Sequence, residues 1–178
     1  MELIKKQGDS LNFEKASQIS KIHVELNWTQ AVDLDLHAFA KMSNGNFEHI
    51  YFSNMGAKNR YPYIHLDKDA GVGATAGDNE ENLVITKLDK IEYLLIATNI
   101  YKVLGGFFDS LLGKGDIFAD YDGKVVVKSN VGQEMAVPLT SDKKGKWCII
   151  AKLDNSEITP KLININEVRK KAPQINDY

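Results

Sequence analysis

Alternation of apolar and polar residues with a period of two is the feature that most constrains how this chain folds. The apolar positions alternate strictly in Ile22–Trp28, and they alternate again over residues 32–38. Six more segments have the same strand-like composition: 47–52, 83–88, 91–97, 124–128, 134–139 and 147–153. Because successive side chains of a strand point to opposite faces, the pattern predicts many strands that each bury one face.

Short turn sequences separate these segments, and together they predict a mainly β fold, an antiparallel β-sandwich. One of them, Asp122-Gly123, fits the tight turn of a β-hairpin. Two segments depart from the alternation. Residues 105–115 have large apolar side chains at helical spacing, which predicts one short inserted helix, and residues 166–173 are expected to form a short C-terminal helical tail.

The length of 178 residues fits one domain. We expect the sandwich to span residues 1–155, and a C-terminal extension, 156–178, to pack on it or trail from it. The single cysteine, Cys148, cannot form an internal disulfide. The first residues lack the apolar segment of a secretory signal, and no apolar run approaches the roughly 20 residues of a membrane span. A cytoplasmic location is therefore expected.

The negative charge of the chain is concentrated in two places. Residues 67–81 hold five acidic side chains and one lysine, and together with Asp33 and Asp35 they have a net charge of −6. The whole chain has a net charge of −2, so the remainder is +4. Acidic loops of this kind repel a phosphate backbone, which argues against a nucleic-acid partner.

Both acidic segments have the composition of a calcium site. Asp33 and Asp35 are two residues apart on a predicted strand, so their side chains share one face roughly 7 Å apart and repel unless a cation or water intervenes. The segment from residue 66 to residue 83 adds three glycines among oxygen-bearing side chains. Ca²⁺ takes roughly 6–8 oxygens from carboxylates, amides and carbonyls. Each segment alone is equally typical of a solvated edge or loop, but together they favour metal binding.

The order of several short motifs resembles the TerD-like family of tellurium-resistance and stress-response proteins over about residues 3–153. The similar motifs are the W…DLDL…F signature at 26–39, a YFxN strand at 50–54, the GDN calcium loop at 77–83 and the late GxW strand at 146–147. Because the acidic stretch after GDN is short, the chain is more similar to the TerA-like branch.

The resemblance implies a calcium-binding β-sandwich without enzymatic activity, in a cytoplasmic stress-response or tellurite-resistance system. It implies one or two Ca²⁺ ions, other proteins of a stress-response complex as partners, and no small-molecule substrate. The implied ligands and the remaining acids of the loop give eight candidate metal ligands: Asp33, Asp35, Asp67, Asp69, Asp78, Asn79, Glu80 and Glu81.

Other functions remain open at this point. A protein–protein scaffold would use an open sheet edge, with the acids only solvating loops. A calcium-dependent, peripheral membrane association would use exposed apolar side chains, for which residues 105–115 are a candidate. An enzyme is the least favoured reading, because His37 is the only candidate base and Cys148 is expected to be buried rather than nucleophilic.

Overall fold

The structure, a computed structural model, describes residues 6–13, 18–67, 77–101 and 116–175. Within these ranges the chain is mainly β and has eleven strands. They are β1 (Ser10–Asn12), β2 (Ile22–Trp28), β3 (Asp33–Met42), β4 (Phe47–Ile50), β5 (Ile64–Leu66), β6 (Asn79–Ile85), β7 (Ile91–Tyr101), β8 (Lys124–Ser129), β9 (Glu134–Pro138), β10 (Trp147–Asp154) and β11 (Lys161–Arg169).

The strands form two sheets in which all neighbours are antiparallel. One sheet has six strands in the order β1-β11-β10-β7-β3-β4, and the other has five in the order β5-β6-β2-β8-β9. Inward side chains from both sheets, such as Leu26 of β2 and Leu36 of β3, belong to one hydrophobic core. The predicted mainly β, antiparallel architecture is confirmed, and the two sheets around one core are consistent with a β-sandwich.

All eight segments that the alternation predicted overlap a strand, and β2 has the predicted bounds. Strand β6 begins four residues earlier than expected, so residues 79–82 belong to a strand rather than to a loop. The alternation did not reveal β1 and β5, because each has only three residues. It also missed β11, which lies inside the six-stranded sheet between β1 and β10.

The two expected helices have different outcomes. The C-terminal helical tail at 166–173 is wrong, because residues 166–169 continue β11 and pair with β10, where Val168 lies opposite Cys148, and residues 170–173 are not helical. Pairing with an available strand outweighs the weak local preference of this polar segment. The inserted helix at 105–115 lies outside the described residues. The described ranges include two short 3-10 turns, Leu88–Lys90 and Phe118–Tyr121, and no helix there is long and apolar enough to cross a membrane.

A short connection brings the ends of both sheets together at one end of the molecule. Residues 29–32 carry the chain from the last residue of β2 to the first residue of β3, and the indole Nε1 of Trp28 donates a 2.8 Å hydrogen bond to the carbonyl of Val32. Asn79, the first residue of β6, lies opposite Trp28, and Tyr101, the last residue of β7, lies opposite Asp33. We call this end of the molecule the acidic end.

Candidate functional site

Asp33 and Asp35 lie on the outer face of the six-stranded sheet, because the alternate residues Leu34 and Leu36 enter the core. Both aspartates are nevertheless buried, with 7% and 4% of their surface exposed. Asp35 lies opposite Asn99 of β7. Removing a carboxylate from water is costly unless an opposite charge or hydrogen bonds compensate. Two carboxylates on one face of a strand supply oxygens of the kind that a hard cation binds.

Glu81 links the second acidic segment to the strand that carries the first. Its side chain faces the interior like that of Leu83, and only 1% of the residue is exposed. Its Oε2 accepts a 2.6 Å hydrogen bond from the backbone N–H of Leu36. Strand β4 pairs with residues 38–41 of β3, and it does not cover the edge of β3 at residues 33–37. Glu81 contacts β3 at this uncovered part of the edge. The Glu81 carboxylate thus contacts the residue that follows Asp35. We call Asp33, Asp35 and Glu81 the buried acidic group.

The neighbouring predicted ligands form a second, exposed group. Glu80 points to the outer face of the five-stranded sheet, where its carboxylate accepts a hydrogen bond from the side-chain amide of Asn82. Asp78, Asn79 and Glu80 line a shallow surface depression of about 450 Å³. The alternation of β6 therefore separates Glu80 from Glu81, although the two are adjacent in the sequence.

Asp122 also lines this depression and was missed as a site residue. It has a left-handed backbone conformation, with φ of 52°, and its Oδ2 accepts a 3.1 Å hydrogen bond from the Thr29 hydroxyl. The expected hairpin turn at Asp122-Gly123 is wrong, because these residues lead from a 3-10 turn into β8. The tolerance of aspartate for positive φ was the one available signal, and it indicated a turn rather than a site.

Of the last two predicted ligands, the structure describes Asp67. Asp67 is exposed after β5, and its backbone N–H donates a 2.9 Å hydrogen bond to the carbonyl of Asn82. Asp69 lies outside the described residues. Of the seven candidates that the structure describes, six therefore lie at the acidic end, divided between a buried and an exposed group.

The donor atoms of the buried acidic group are all carboxylate oxygens, which fit a hard cation such as Ca²⁺ better than a thiolate- or imidazole-preferring ion. Over residues 6–13, 18–67, 77–101 and 116–175, however, no three His, Cys, Asp or Glu side chains converge closely enough to form a complete metal centre.

His37 continues the row of Asp33 and Asp35 and is buried in a cluster of rings. Its Nε2 is 2.9 Å from Oδ1 of Asn99, and its Nδ1 is 2.9 Å from Nε2 of His49. Since an amide oxygen only accepts, the proton of His37 lies on Nε2, and His49 donates to Nδ1. The ring of Trp147 packs 4.7 Å from that of His37. No sequence motif indicated this histidine pair, because the pairing of β3 with β4 brings the two residues together.

Two pKa values bear on catalysis. Burial lowers the pKa of His37 to about 4, assisted by the charge of nearby His49 and opposed by the hydrogen bond to Asn99. Burial raises the pKa of the Cys148 thiol to about 12, with a smaller contribution from the charge of Glu167. Cys148 lies in the core, as predicted. At neutral pH the histidine is uncharged with both ring nitrogens engaged, and the thiol is protonated.

Comparisons with known proteins show the fold of this chain but not its family. No protein-family model and no curated protein matches the sequence. A crystal structure of an unknown function protein, SAV2460, is similar with a TM-score of 0.57 and 15% sequence identity. The similarity covers 87% of this chain and 92% of that one. At this identity the likeness concerns the fold alone.

Proposed function

We propose that this chain is a Ca²⁺-binding, non-catalytic β-sandwich module of the TerD-like type, acting in a cytoplasmic stress-response or tellurite-resistance system. One observation carries the proposal: the hydrogen bond from the N–H of Leu36 to Glu81 joins the D-x-D strand to the acidic segment of β6. The motif order described above supports the TerD-like reading. Other proteins of a stress-response complex are the proposed partners, without nucleic acid or a small-molecule substrate.

The buried acidic group is the proposed location of the first ion. Asp33 and Asp35 would supply carboxylate oxygens from the outer face of β3, and Ca²⁺ would neutralise their charges. Because the three carboxylates do not converge in the described structure, ion binding would have to draw Glu81 around the open edge of β3 towards the two aspartates. A bound ion would also link β3 of one sheet to β6 of the other. The exposed group around Asp78 and Glu80 is the proposed location if a second ion binds.

The states of Cys148, the candidate nucleophile, and His37, the candidate base, support a binding role over a catalytic one. Cys148 is buried with a raised pKa, so it is a poor nucleophile. His37 is neutral at pH 7, but its ring nitrogens are engaged by Asn99 and His49 and are not directed at a substrate. Both residues are well suited to packing and hydrogen bonding within the fold.

The test is a calorimetric Ca²⁺ titration of chelator-treated protein, with Mg²⁺ as the control ion. We expect Ca²⁺ to bind much more tightly than Mg²⁺, because a site of several carboxylates favours the larger, less strongly hydrated ion. At a free Ca²⁺ concentration about 100-fold above Kd, the free energy of unfolding should rise by about 2.7 kcal/mol. For a chain of this size that corresponds to a Tm increase of about 5–10 °C.

Two matched variants distinguish the buried from the exposed acids. Asp35→Asn keeps the shape of the side chain and removes its charge, and it should remove most of the Ca²⁺-induced stabilisation. Asp78→Asn makes the same chemical change in the exposed group and should keep that stabilisation. If Asp78→Asn alone abolishes binding, the exposed depression is the site. If the wild-type protein shows neither heat nor an increase in Tm with Ca²⁺, the proposed function is wrong.

A further inference from the structure

The exposed turn between β3 and β4 carries the one asparagine of this chain that precedes a glycine. Residues 43–46 connect the two strands, and all four are exposed. The dipeptide is Asn44-Gly45, and none of the other asparagines has a glycine after it. Because glycine has no Cβ, its backbone nitrogen approaches the side chain of the preceding residue without steric hindrance. The turn therefore places a side-chain amide beside an unhindered nitrogen nucleophile.

Two features of the turn favour attack on the Asn44 amide. A Cβ placed on Gly45 would have no heavy atom within 4 Å, so water reaches this part of the turn. The backbone N–H of Asn46 donates a 3.0 Å hydrogen bond to Oδ1 of Asn44, where negative charge develops when a nucleophile adds to Cγ. A backbone N–H directed at that oxygen stabilises the developing charge.

One hydrogen bond opposes the attack. The N–H of Gly45 donates to the carbonyl of Met42 at 2.9 Å, and the nitrogen becomes a nucleophile only when this bond opens. Hydrogen bonds at exposed turns open locally at a lower cost in free energy than those of core strands. The bond therefore slows the reaction of Asn44 relative to an unfolded chain but does not prevent it.

Asn155 shows how the fold protects an asparagine whose sequence context is also favourable. It precedes Ser156, the smallest residue that follows any other asparagine of the chain. Its Nδ2 donates hydrogen bonds of 3.0 and 2.9 Å to the carbonyls of Leu88 and Ile91. The N–H of Ser156, which would be the nucleophile, donates to Oδ1 of Asp154 at 3.1 Å. Attack at Asn155 therefore requires three hydrogen bonds to break, whereas attack at the exposed turn requires one.

We propose that Asn44 is a site of spontaneous deamidation, with water as the only co-reactant. The backbone nitrogen of Gly45 loses its proton and forms a bond to Cγ of Asn44. The bond from Cγ to Nδ2 breaks, and this nitrogen takes up a proton and leaves as ammonia, so that a cyclic succinimide remains. Water then opens the ring at either of its carbonyl carbons. Opening at Cγ leaves an aspartate at position 44, and opening at the backbone carbonyl leaves an isoaspartate.

Isoaspartate changes the backbone of the turn, because the main chain then passes through Cβ and Cγ of residue 44 and becomes longer by one carbon atom. Hydrogen bonds from Met42 to Asn46 and from Gly45 to Met42, at 2.8 and 2.9 Å, close the unmodified turn. Strand β4 is an edge strand that pairs with β3, so a longer turn weakens the pairing of this edge. The turn follows the end of β3 opposite to Asp33, and the inference does not depend on calcium binding.

The experiment is incubation of the full, folded chain in mildly alkaline buffer, followed by tryptic digestion and mass spectrometry. A sample digested before incubation measures the deamidation that the digestion itself causes. The tryptic peptide 42–58 should gain the mass difference between an amide and a carboxylic acid. Fragmentation should assign the change to Asn44 rather than to Asn46 or Asn54. The rate should rise with hydroxide concentration, because the attacking nitrogen must lose its proton.

Asn44→Gln is the matched control variant, because it keeps an amide, but its longer side chain closes a larger ring much more slowly. It should stay unmodified and keep its Tm, whereas the wild-type protein should show a lower Tm after the same incubation. Incubation in urea tests the role of the fold. There, Asn155 should deamidate as well as Asn44, because the hydrogen bonds that hold its amide are lost.

Three results would overturn the inference. The first is a folded protein in which Asn44 stays intact although it reacts in urea, because the turn would then protect it. The second is deamidation of Asn155 or another asparagine of the folded protein at the same rate as Asn44. The third is an equal loss of Tm in Asn44→Gln, because the change in stability would then come from another residue.

Discussion

Substitution of Glu81 separates two roles that its carboxylate has in the proposed site. The carboxylate accepts a 2.6 Å hydrogen bond from the N–H of Leu36, and in the proposed site it would also supply negative charge to the ion. Glu81→Gln retains an oxygen that accepts from Leu36 but removes the charge. Glu81→Ala removes both. The pair of variants therefore distinguishes the hydrogen bond from the ion site.

The structure sets the expected magnitudes in the absence of calcium. Both Leu36 and Glu81 are almost fully buried, so Glu81→Ala leaves a backbone N–H without its carboxylate acceptor. A hydrogen bond to a charged group contributes about 1.5–3 kcal/mol, and we expect Glu81→Ala to lower the free energy of unfolding by about that amount. Glu81→Gln should lie within about 1 kcal/mol of the wild-type protein, because the lost charge also relieves repulsion from the two aspartates.

The assay is urea unfolding of the three proteins in chelator and again in saturating Ca²⁺. Calcium should stabilise the wild-type protein by about 2.7 kcal/mol at 100-fold excess over Kd and should stabilise both variants much less. The reasoning is wrong if Glu81→Gln destabilises the calcium-free protein as much as Glu81→Ala. It is also wrong if either variant keeps the full calcium increment.

Two further predictions concern pH and backbone geometry. Burial lowers the pKa of His37 from its ordinary 6.5 to about 4, so between these pH values the unfolded chain binds a proton that the folded protein does not. The contribution of His37 to the free energy of unfolding is therefore complete above pH 6.5. It decreases by about 3 kcal/mol in total as the pH falls towards 4. His37→Gln should lose this part of the pH dependence of urea unfolding in chelator, and equal slopes for the two proteins would contradict the assignment. Gly56 has φ of 68°, and a Cβ there would collide with the carbonyl of Ile64, so Gly56→Ala should lower the free energy of unfolding by more than about 3 kcal/mol. Gly45→Ala, at φ of 85° with nothing within 4 Å, should lower it by only about 1–2 kcal/mol, and similar losses for both would refute the clash.

The strand content of this protein could be predicted from local sequence because a period of two is a local property. Each strongly alternating segment, such as Ile22–Trp28, became a strand with its apolar residues in the core. The same period correctly predicted that Leu34 and Leu36 are buried in the core, which puts Asp33 and Asp35 together on the other face. That Cys148 is buried was also evident from the apolar strand around it.

The bounds of β6 and β11 were less predictable, because partner strands decide them. The acids of β6 were assigned to a loop, since the apolar run starts only at Leu83. Pairing with β2 extends the strand back to Asn79. Similarly, β11 exists because β1 and β10 flank it. Hydrogen bonds from a neighbouring strand stabilise polar residues in a conformation that their own propensities do not select.

By itself, the sequence determined that the chain forms antiparallel sheets and that its acids are concentrated in two segments. Only the tertiary structure decided which acids lie at the same end of the molecule and which way each one points. Because side chains alternate along β6, Glu81 points inward to Leu36 and Glu80 points outward. The turn before β8 places Asp122 next to Thr29. The physical reason is that side-chain direction follows locally from alternation, whereas contact between distant segments follows from strand register and sheet order, which depend on pairing across the whole chain.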